Sequence, residues 1–296
     1  MKAHAPRPAP RLALGTVQFG LAYGVAGNAA PMSASDARAV LAAASEAGIT
    51  RLDTAAAYGD IEERLARLVG DLPFSVVSKV PALPAGMPTA EAVAFVRAAI
   101  ARSDDRLGGL LSGILFHDGA VLAGPDGAVL WAAAGEACER LGIACGFSGY
   151  DPLAAADNSL APAPAMLQLP GNAFDQRLAN ALPRLGASEV TIRSVFLQGL
   201  LLMPLDQAAA RVPAAAAALG AWQAWCAQAG LGPLAAALAV GKHLAPDYCV
   251  VGVDNVAQLD QIAAAWDTVE PLPAPTLATT DSAVIDPRVW PRKDAQ

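Results

Sequence analysis

Short apolar, β-branched runs alternate with longer alanine-rich stretches along nearly all of this chain. That rhythm is the strongest constraint on its fold. Such alternation marks βα units built around a parallel sheet. Strands are predicted at 11–16, 49–53, 74–79, 113–116, 143–147, 165–169, 189–194 and 248–251. Helices are predicted at 36–47, 61–69, 90–102, 128–141, 152–158, 174–185, 214–228, 233–243 and 256–265. Ser33 and Ser35 are candidate N-caps for the first helix and Gly48 its stop. A glycine-rich loop, 17–31, follows the first strand. Eight strands in one unbroken series predict an α/β fold of the TIM type, a closed (β/α)8 barrel. An open, doubly wound sheet is the runner-up. Against it, Gly15, Gly20 and Gly24 do not have the G-x-G-x-x-G spacing of a dinucleotide-binding first turn.

The chain has 296 residues. Barrels run to about 200–250 residues or more as one domain. The expected organisation is therefore a tail, 1–10, then one barrel domain, 11–296, whose proline-rich end packs over the outside or the rim. Only 16% of residues are charged and 54% are hydrophobic, which argues against wholesale disorder. A net charge of −7 without a basic cluster argues against nucleic acid and anionic membrane as partners. The tail lacks the apolar core of a signal peptide, and no run reaches the roughly 18 apolar residues of a membrane helix. Cys138, Cys145, Cys226 and Cys249 form no C-x-x-C pair, and no histidine stands at metal-ligand spacing from them. Reduced, buried thiols in a cytoplasmic protein without a metal are expected.

A barrel enzyme carries its chemistry where strands end. Here Asp53, Lys79 and His117 fall at the exits of the second, third and fourth predicted strands, and Tyr58 lies five residues beyond Asp53. Each has a bland alternative: a rim ion pair, a solvated lysine, a structural histidine, a packed tyrosine. Their occurrence at three successive exits favours chemistry. A lysine near a tyrosine lowers the phenol pKa, and a carboxylate keeps the lysine charged and oriented. The tyrosine can then give a proton to a carbonyl oxygen. A neutral histidine can donate a hydrogen bond to the same oxygen.

These residues resemble a known family. The segment Leu52-Asp53-Thr54-Ala55-Ala56-Ala57-Tyr58-Gly59, followed by Glu62-Glu63, is similar to the aldo-keto reductase signature. Val77-Ser78-Lys79 resembles the lysine strand of that family and Leu115-Phe116-His117-Asp118 its histidine strand; Leu14-Gly15-Thr16 also fits. The resemblance implies an NAD(P)H-linked reductase of a small-molecule carbonyl compound, acting as a monomer or homo-oligomer. Tyr58 would be the proton donor, tuned by Lys79, with Asp53 holding Lys79 and His117 orienting the carbonyl. It further implies that Ser148 and Gln168 hold the nicotinamide carboxamide, with Gly15, Thr16, Asp53 and Arg193 also at the cofactor. Ser194, Leu197 and Gly199 would lie on the diphosphate side, and Gly252, Val253, Asp254 and Gln258 at the adenosine end.

The sequence departs from the family pattern in this second half. Gly149 stands where an asparagine usually follows the serine, and Arg193 where many members place an aromatic ring. Members specific for NADPH carry Lys or Arg for the 2′-phosphate where this chain has Asp254 and Gln258. An acidic side chain repels a phosphate and accepts from a 2′-hydroxyl, so NADH, or relaxed specificity between NADH and NADPH, is expected. The alternative is that Asp254 caps the last helix. Phe19, Tyr23 and Asn172, with Tyr58 and His117, are the expected substrate contacts; Phe174, Gln176 and Trp290 are further candidates. Packing is the alternative for each of these aromatic and polar residues. Rival functions are a sugar dehydrogenase working oxidatively, a nucleotide-binding protein without turnover, and a cofactor-independent lyase or epimerase.

Overall fold

The computed structural model describes residues 7–24 and 30–291. Parts of the expected tail (1–6) and of the glycine-rich loop (25–29) lie outside the described residues. The strands are β1 Arg11–Gly15, β2 Arg51–Asp53, β3 Ser75–Val80, β4 Leu111–Phe116, β5 Ala144–Ser148, β6 Met166–Pro170, β7 Glu189–Arg193 and β8 Tyr248–Val251. Neighbours pair in parallel, and β8 returns to β1 to close an eight-stranded barrel. The fold is a (β/α)8 TIM barrel.

The helices are α1 Val17–Gly20, α2 Ala34–Glu46, α3 Ile61–Val69, α4 Thr89–Leu107, α5 Gly127–Leu141, α6 Pro152–Ala156, α7 Leu178–Ala181, α8 Leu205–Arg211, α9 Ala216–Ala229, α10 Pro233–His243, α11 Val256–Thr268 and α12 Ser282–Ile285. Ser33 caps α2 by accepting from Asp36 N at 3.1 Å. Among the described residues no single helix is long and apolar enough to cross a membrane.

Several stretches differ from the sequence expectation: α4 runs on to Leu107 instead of ending at 102, α12 forms in the proline-rich tail, and three further segments change. The loop after β1 contains the single turn α1. The helix expected over 174–185 shrinks to α7 and a 3-10 turn, Leu182–Arg184. Phe174 O and Asp175 O, the carbonyls a helix starting here would use first, accept instead from Thr279 N at 2.9 Å and Asn172 N at 3.1 Å, while Asn172 Oδ1 accepts from Phe174 N and Asp175 N, both at 2.9 Å. After β7 the chain forms a 3-10 turn, Leu197–Leu202, and α8 before α9 begins.

The core has two shells. A large one lies between barrel and helices; inside the barrel a small one joins Val77, Leu115 and Met166 with Ala144. The barrel base is plugged. Arg51 on β2 reaches Glu189 on β7 at 2.8 Å, and the guanidiniums of Arg11 and Arg51 lie 4.2 and 4.4 Å from the Tyr248 ring centroid. Among the described residues, charge pairing and stacking thus fill this end of the barrel. The proline-rich segment after α11 runs back over the barrel, with Leu272 N bonded to Ala239 O and Thr279 N to Phe174 O.

Candidate active site

Asp53 pairs in register with Val77, so Lys79, two residues on along β3, points inward one level above it. Both side chains are buried. Lys79 Nζ donates to both carboxylate oxygens of Asp53 and, at 2.8 Å, to Thr54 O. An ammonium has three N–H groups, so these acceptors saturate it. Thr16 steadies the Asp53 backbone, whose carbonyl accepts from Thr16 N at 2.9 Å and Thr16 Oγ1 at 3.1 Å. From across the barrel, Gln168 Nε2 on β6 donates to Asp53 Oδ1 at 2.7 Å. A buried ion pair is tolerated when such further hydrogen bonds satisfy it.

Tyr58 sits in the turn between β2 and α3, half-buried. Its seat is steric. A Cβ on Gly20 would come within 1.9 Å of Tyr58 O, so α1 can press against this turn only because residue 20 has no side chain. The Tyr58 and His117 rings meet edge-on, with centroids 5.9 Å apart at 84°. Lys79 Nζ lies 5.5 Å from the Tyr58 ring centroid, while its hydrogen bonds go to Asp53 and Thr54. The four residues expected at the mouth are therefore together.

One electrostatic expectation is corrected. The Tyr58 phenol is pushed up, not down, by burial first and then by the Asp53 charge; Arg193 opposes this. The cation beside the phenol is neutralised by its own carboxylate. Burial also lowers the Lys79 pKa, against the pull of Asp53. His117 falls to about 4, through burial and then the positive charge of Lys79. At neutral pH the mouth thus presents a protonated phenol and a neutral imidazole.

On the other side, Ser148 pairs in register with Gln168, both buried, and Gly149 N donates to Gln168 O. Arg193, at the end of β7, crosses over to Gly149 O at 3.0 Å, and its guanidinium lies 4.3 Å from the Tyr150 ring centroid. A planar cation clamped on a ring thus stands where the aromatic platform was missing. Beyond it Ser194, Leu197 and Gln198 all have positive φ (63°, 50° and 56°), a concentration of backbone strain typical of ligand-binding segments. Trp222 Nε1 anchors this segment by donating to Leu201 O at 2.9 Å. Because the Leu197 side chain is fully buried, it offers only its backbone; Gly199 beside it is half-buried.

At the exit of β8, Gly252 leaves room for the amide of Gln18, whose Nε2 would lie 2.6 Å from a Cβ there. Among the described residues, Gln18 Oε1 and Asp254 Oδ1 are both buried without a hydrogen-bond partner. The cap of α11 is Asn255, which accepts from Gln258 N, so the alternative of Asp254 as cap is overturned. Gln258 folds back to accept from Asp254 N at 2.8 Å. Val253 turns its side chain into the core, whereas Gly15 and Thr16 flank Asp53 across the β1–β2 ladder.

Of the expected substrate contacts, Tyr23 stands 40% exposed at the rim. Phe19 and Asn172 are corrected: both are fully buried, one packed in the outer core and one bracing the β6 loop. Phe174 and Trp290 are likewise core, and Gln176 Nε2 is spent on Ala173 O and Ala274 O. Sequence reasoning missed a polar cavity of about 180 Å³ between the exits of β5–β7 and the C-terminal segment, lined by Tyr150, Arg177, Arg193, Ser194, Asp286 and Arg288 among others. Arg288 lies 3.5 Å from the Tyr150 ring centroid and pairs with Asp286. The opposite charges of Asp286 and Arg288 around Pro287 in the proline-rich tail were the available signal.

The aldo/keto reductase family model matches residues 11–116, which contain Asp53, Tyr58 and Lys79 and stop one residue before His117. No curated protein matches the chain. Among solved structures, an aldo-keto reductase of Bacillus halodurans in its holo form is similar at TM-score 0.67 and 17% identity, over 92% of this chain and 93% of that one. A glycerol dehydrogenase of Gluconobacter oxydans is similar at TM-score 0.65 and 20% identity, over 92% and 90%. The resemblance read from the motifs is thus matched by a family model in the first half and by bacterial aldo-keto reductases in the fold of the whole.

Proposed function

We propose that this chain, whose residues 11–116 match the aldo/keto reductase family model, reduces an aldehyde, ketone or sugar carbonyl, with residues 11–296 acting as one barrel unit. The observation that carries the reading is the pairing of a phenol held protonated with an imidazole held neutral, over a buried Lys79–Asp53 pair. In the reductive direction Tyr58 Oη, protonated at neutral pH, gives its proton to the carbonyl oxygen, more readily when a cationic N–H donor bonds the phenol and lowers its pKa. His117 donates a hydrogen bond to the same oxygen and so orients it.

The residues of the second half fit a nicotinamide dinucleotide, which when bound in its reduced form supplies the hydride. Ser148 and the oxygen of the Gln168 amide would hold the carboxamide, with Arg193 beneath it. The strained turn after Arg193 offers backbone to the diphosphate. Asp254 Oδ1 is an acceptor without a partner among the described residues, suited to a ribose hydroxyl and unsuited to a phosphate, whereas the Gln18 amide beside it can both accept and donate. NADH is therefore the expected cofactor.

The test is a side-by-side titration of protein fluorescence with NADH and NADPH, followed by turnover of a carbonyl panel. Small hydroxylated carbonyls belong in it, since one structural neighbour is a glycerol dehydrogenase. Tyr58→Phe should lower kcat by about 10²–10⁴-fold with NADH affinity unchanged. Full activity in that variant, or no binding of either nucleotide, defeats the reading.

A further inference from the structure

Lys79 presents a problem for proton transfer. All three of its N–H groups are engaged, two by Asp53 and one by Thr54 O, and none is left for Tyr58. To bond the phenol it must release one acceptor. Thr54 O is a backbone carbonyl fixed in the turn, so the exchangeable partner is a carboxylate oxygen. Asp53 is buried, and a buried carboxylate oxygen stripped of its donor is costly.

Asp53 Oδ1 already has a second donor. Gln168 Nε2 reaches it at 2.7 Å from the opposite wall of the barrel. Facing a carboxylate, only the amide nitrogen makes chemical sense, so the orientation of this amide is settled. Gln168 is itself buried and held in register between Ser148 and Thr191. Two donors, Lys79 and Gln168, thus share one oxygen.

Resting on the reductase reading, we propose that Gln168 is a positioning residue for proton transfer: by holding Asp53 Oδ1 it lets Lys79 turn one N–H from that oxygen toward Tyr58. The same side chain keeps its own oxygen free as an acceptor for a cofactor amide. Gln168 would then join the cofactor side of the barrel to the proton-transfer side through one amide.

Gln168→Glu and Gln168→Leu separate the two roles. A carboxylate at 168 still accepts from a carboxamide but has no N–H for Asp53. In Gln168→Glu, NADH affinity by fluorescence quenching should stay within about 3-fold of wild type. Its kcat should fall more than about 10-fold at pH 9 and recover as pH drops and the new carboxyl gains a donating proton. Gln168→Leu, which cannot donate at any pH, should show the kcat loss throughout. Without nucleotide, the Tm of Gln168→Glu should drop by several degrees between pH 6 and pH 9 relative to wild type, as two buried carboxylates face each other. That last measurement tests the Gln168–Asp53 bond even if the protein proves not to be a reductase. A pH–kcat profile of Gln168→Glu parallel to wild type, or a Gln168→Leu variant that loses NADH affinity alone, overturns the proposal.

Discussion

The two halves of the barrel solve different problems with different materials. The β1–β4 half presents side chains: Asp53, Tyr58, Lys79 and His117 each bring one specific functional group to the mouth. The β5–β8 half presents a cradle: a register pair, Ser148 and Gln168, a clamped guanidinium, and a strained turn whose Leu197 shows only backbone. Proton transfer depends on which atom sits at a point. Holding a dinucleotide depends on shape and on donors and acceptors that many residues can supply. The family model ends at Phe116, where the first material gives way to the second.

The contrast can be attacked first at the Lys79–Asp53 pair. Lys79→Met or Asp53→Leu alone should each cost about 3–5 kcal/mol in urea unfolding, because each leaves a buried charge unpaired. The double variant should regain much of that loss. Additive losses would show that the pair is not held as a unit. Equivalent apolar changes at Ser148 should cost far less, since no charge is stranded there.

The next effect is one of pH. His117 has a pKa of about 4 in the fold against an ordinary 6.5, so between these values the unfolded chain binds more protons. Stability is then full above about pH 6.5 and lost as pH falls toward 4, by at most about 3 kcal/mol. His117→Phe should flatten the unfolding free energy over that window. An unchanged slope assigns the acid sensitivity to other groups.

Gly20→Ala probes the seat of Tyr58. With only 1.9 Å between the new methyl position and Tyr58 O, the turn must move, at a cost of about 1–3 kcal/mol. Turnover should fall about 10-fold or more while NADH affinity holds, since misplacement of about 1 Å can cost 10²-fold. If turnover holds and affinity falls, α1 serves the cofactor instead.

Smallest is the adenosine end. Asp254→Arg should move the NADH-to-NADPH efficiency ratio about 10-fold toward NADPH, roughly 1.4 kcal/mol. No change would place the choice of nucleotide elsewhere on the rim.

The expectations for fold and site fared unevenly, for physical reasons. Ile61–Val69, Pro233–His243 and Tyr248–Val251 were legible to the residue, because Gly70 just past the first, Pro233 at the start of the second and the short apolar run of the third mark them locally. The helix expected from Phe174 failed because the Phe174 and Asp175 carbonyls accept from Thr279 N and Asn172 N, contacts that the local pattern does not encode. Phe19, read as a pocket wall, is core because α1 turns it inward.

By itself the sequence determined the eight βα repeats and the type and order of the residues at the mouth, since both are written in local spacing. Tertiary structure alone decided what those residues do to one another. The saturation of Lys79, the upward push on Tyr58 and the reach of Gln168 to Asp53 arise from burial and from contact between strands up to 115 residues apart. Hydrogen bonding and desolvation depend on distance in space, and position along the chain does not encode that distance.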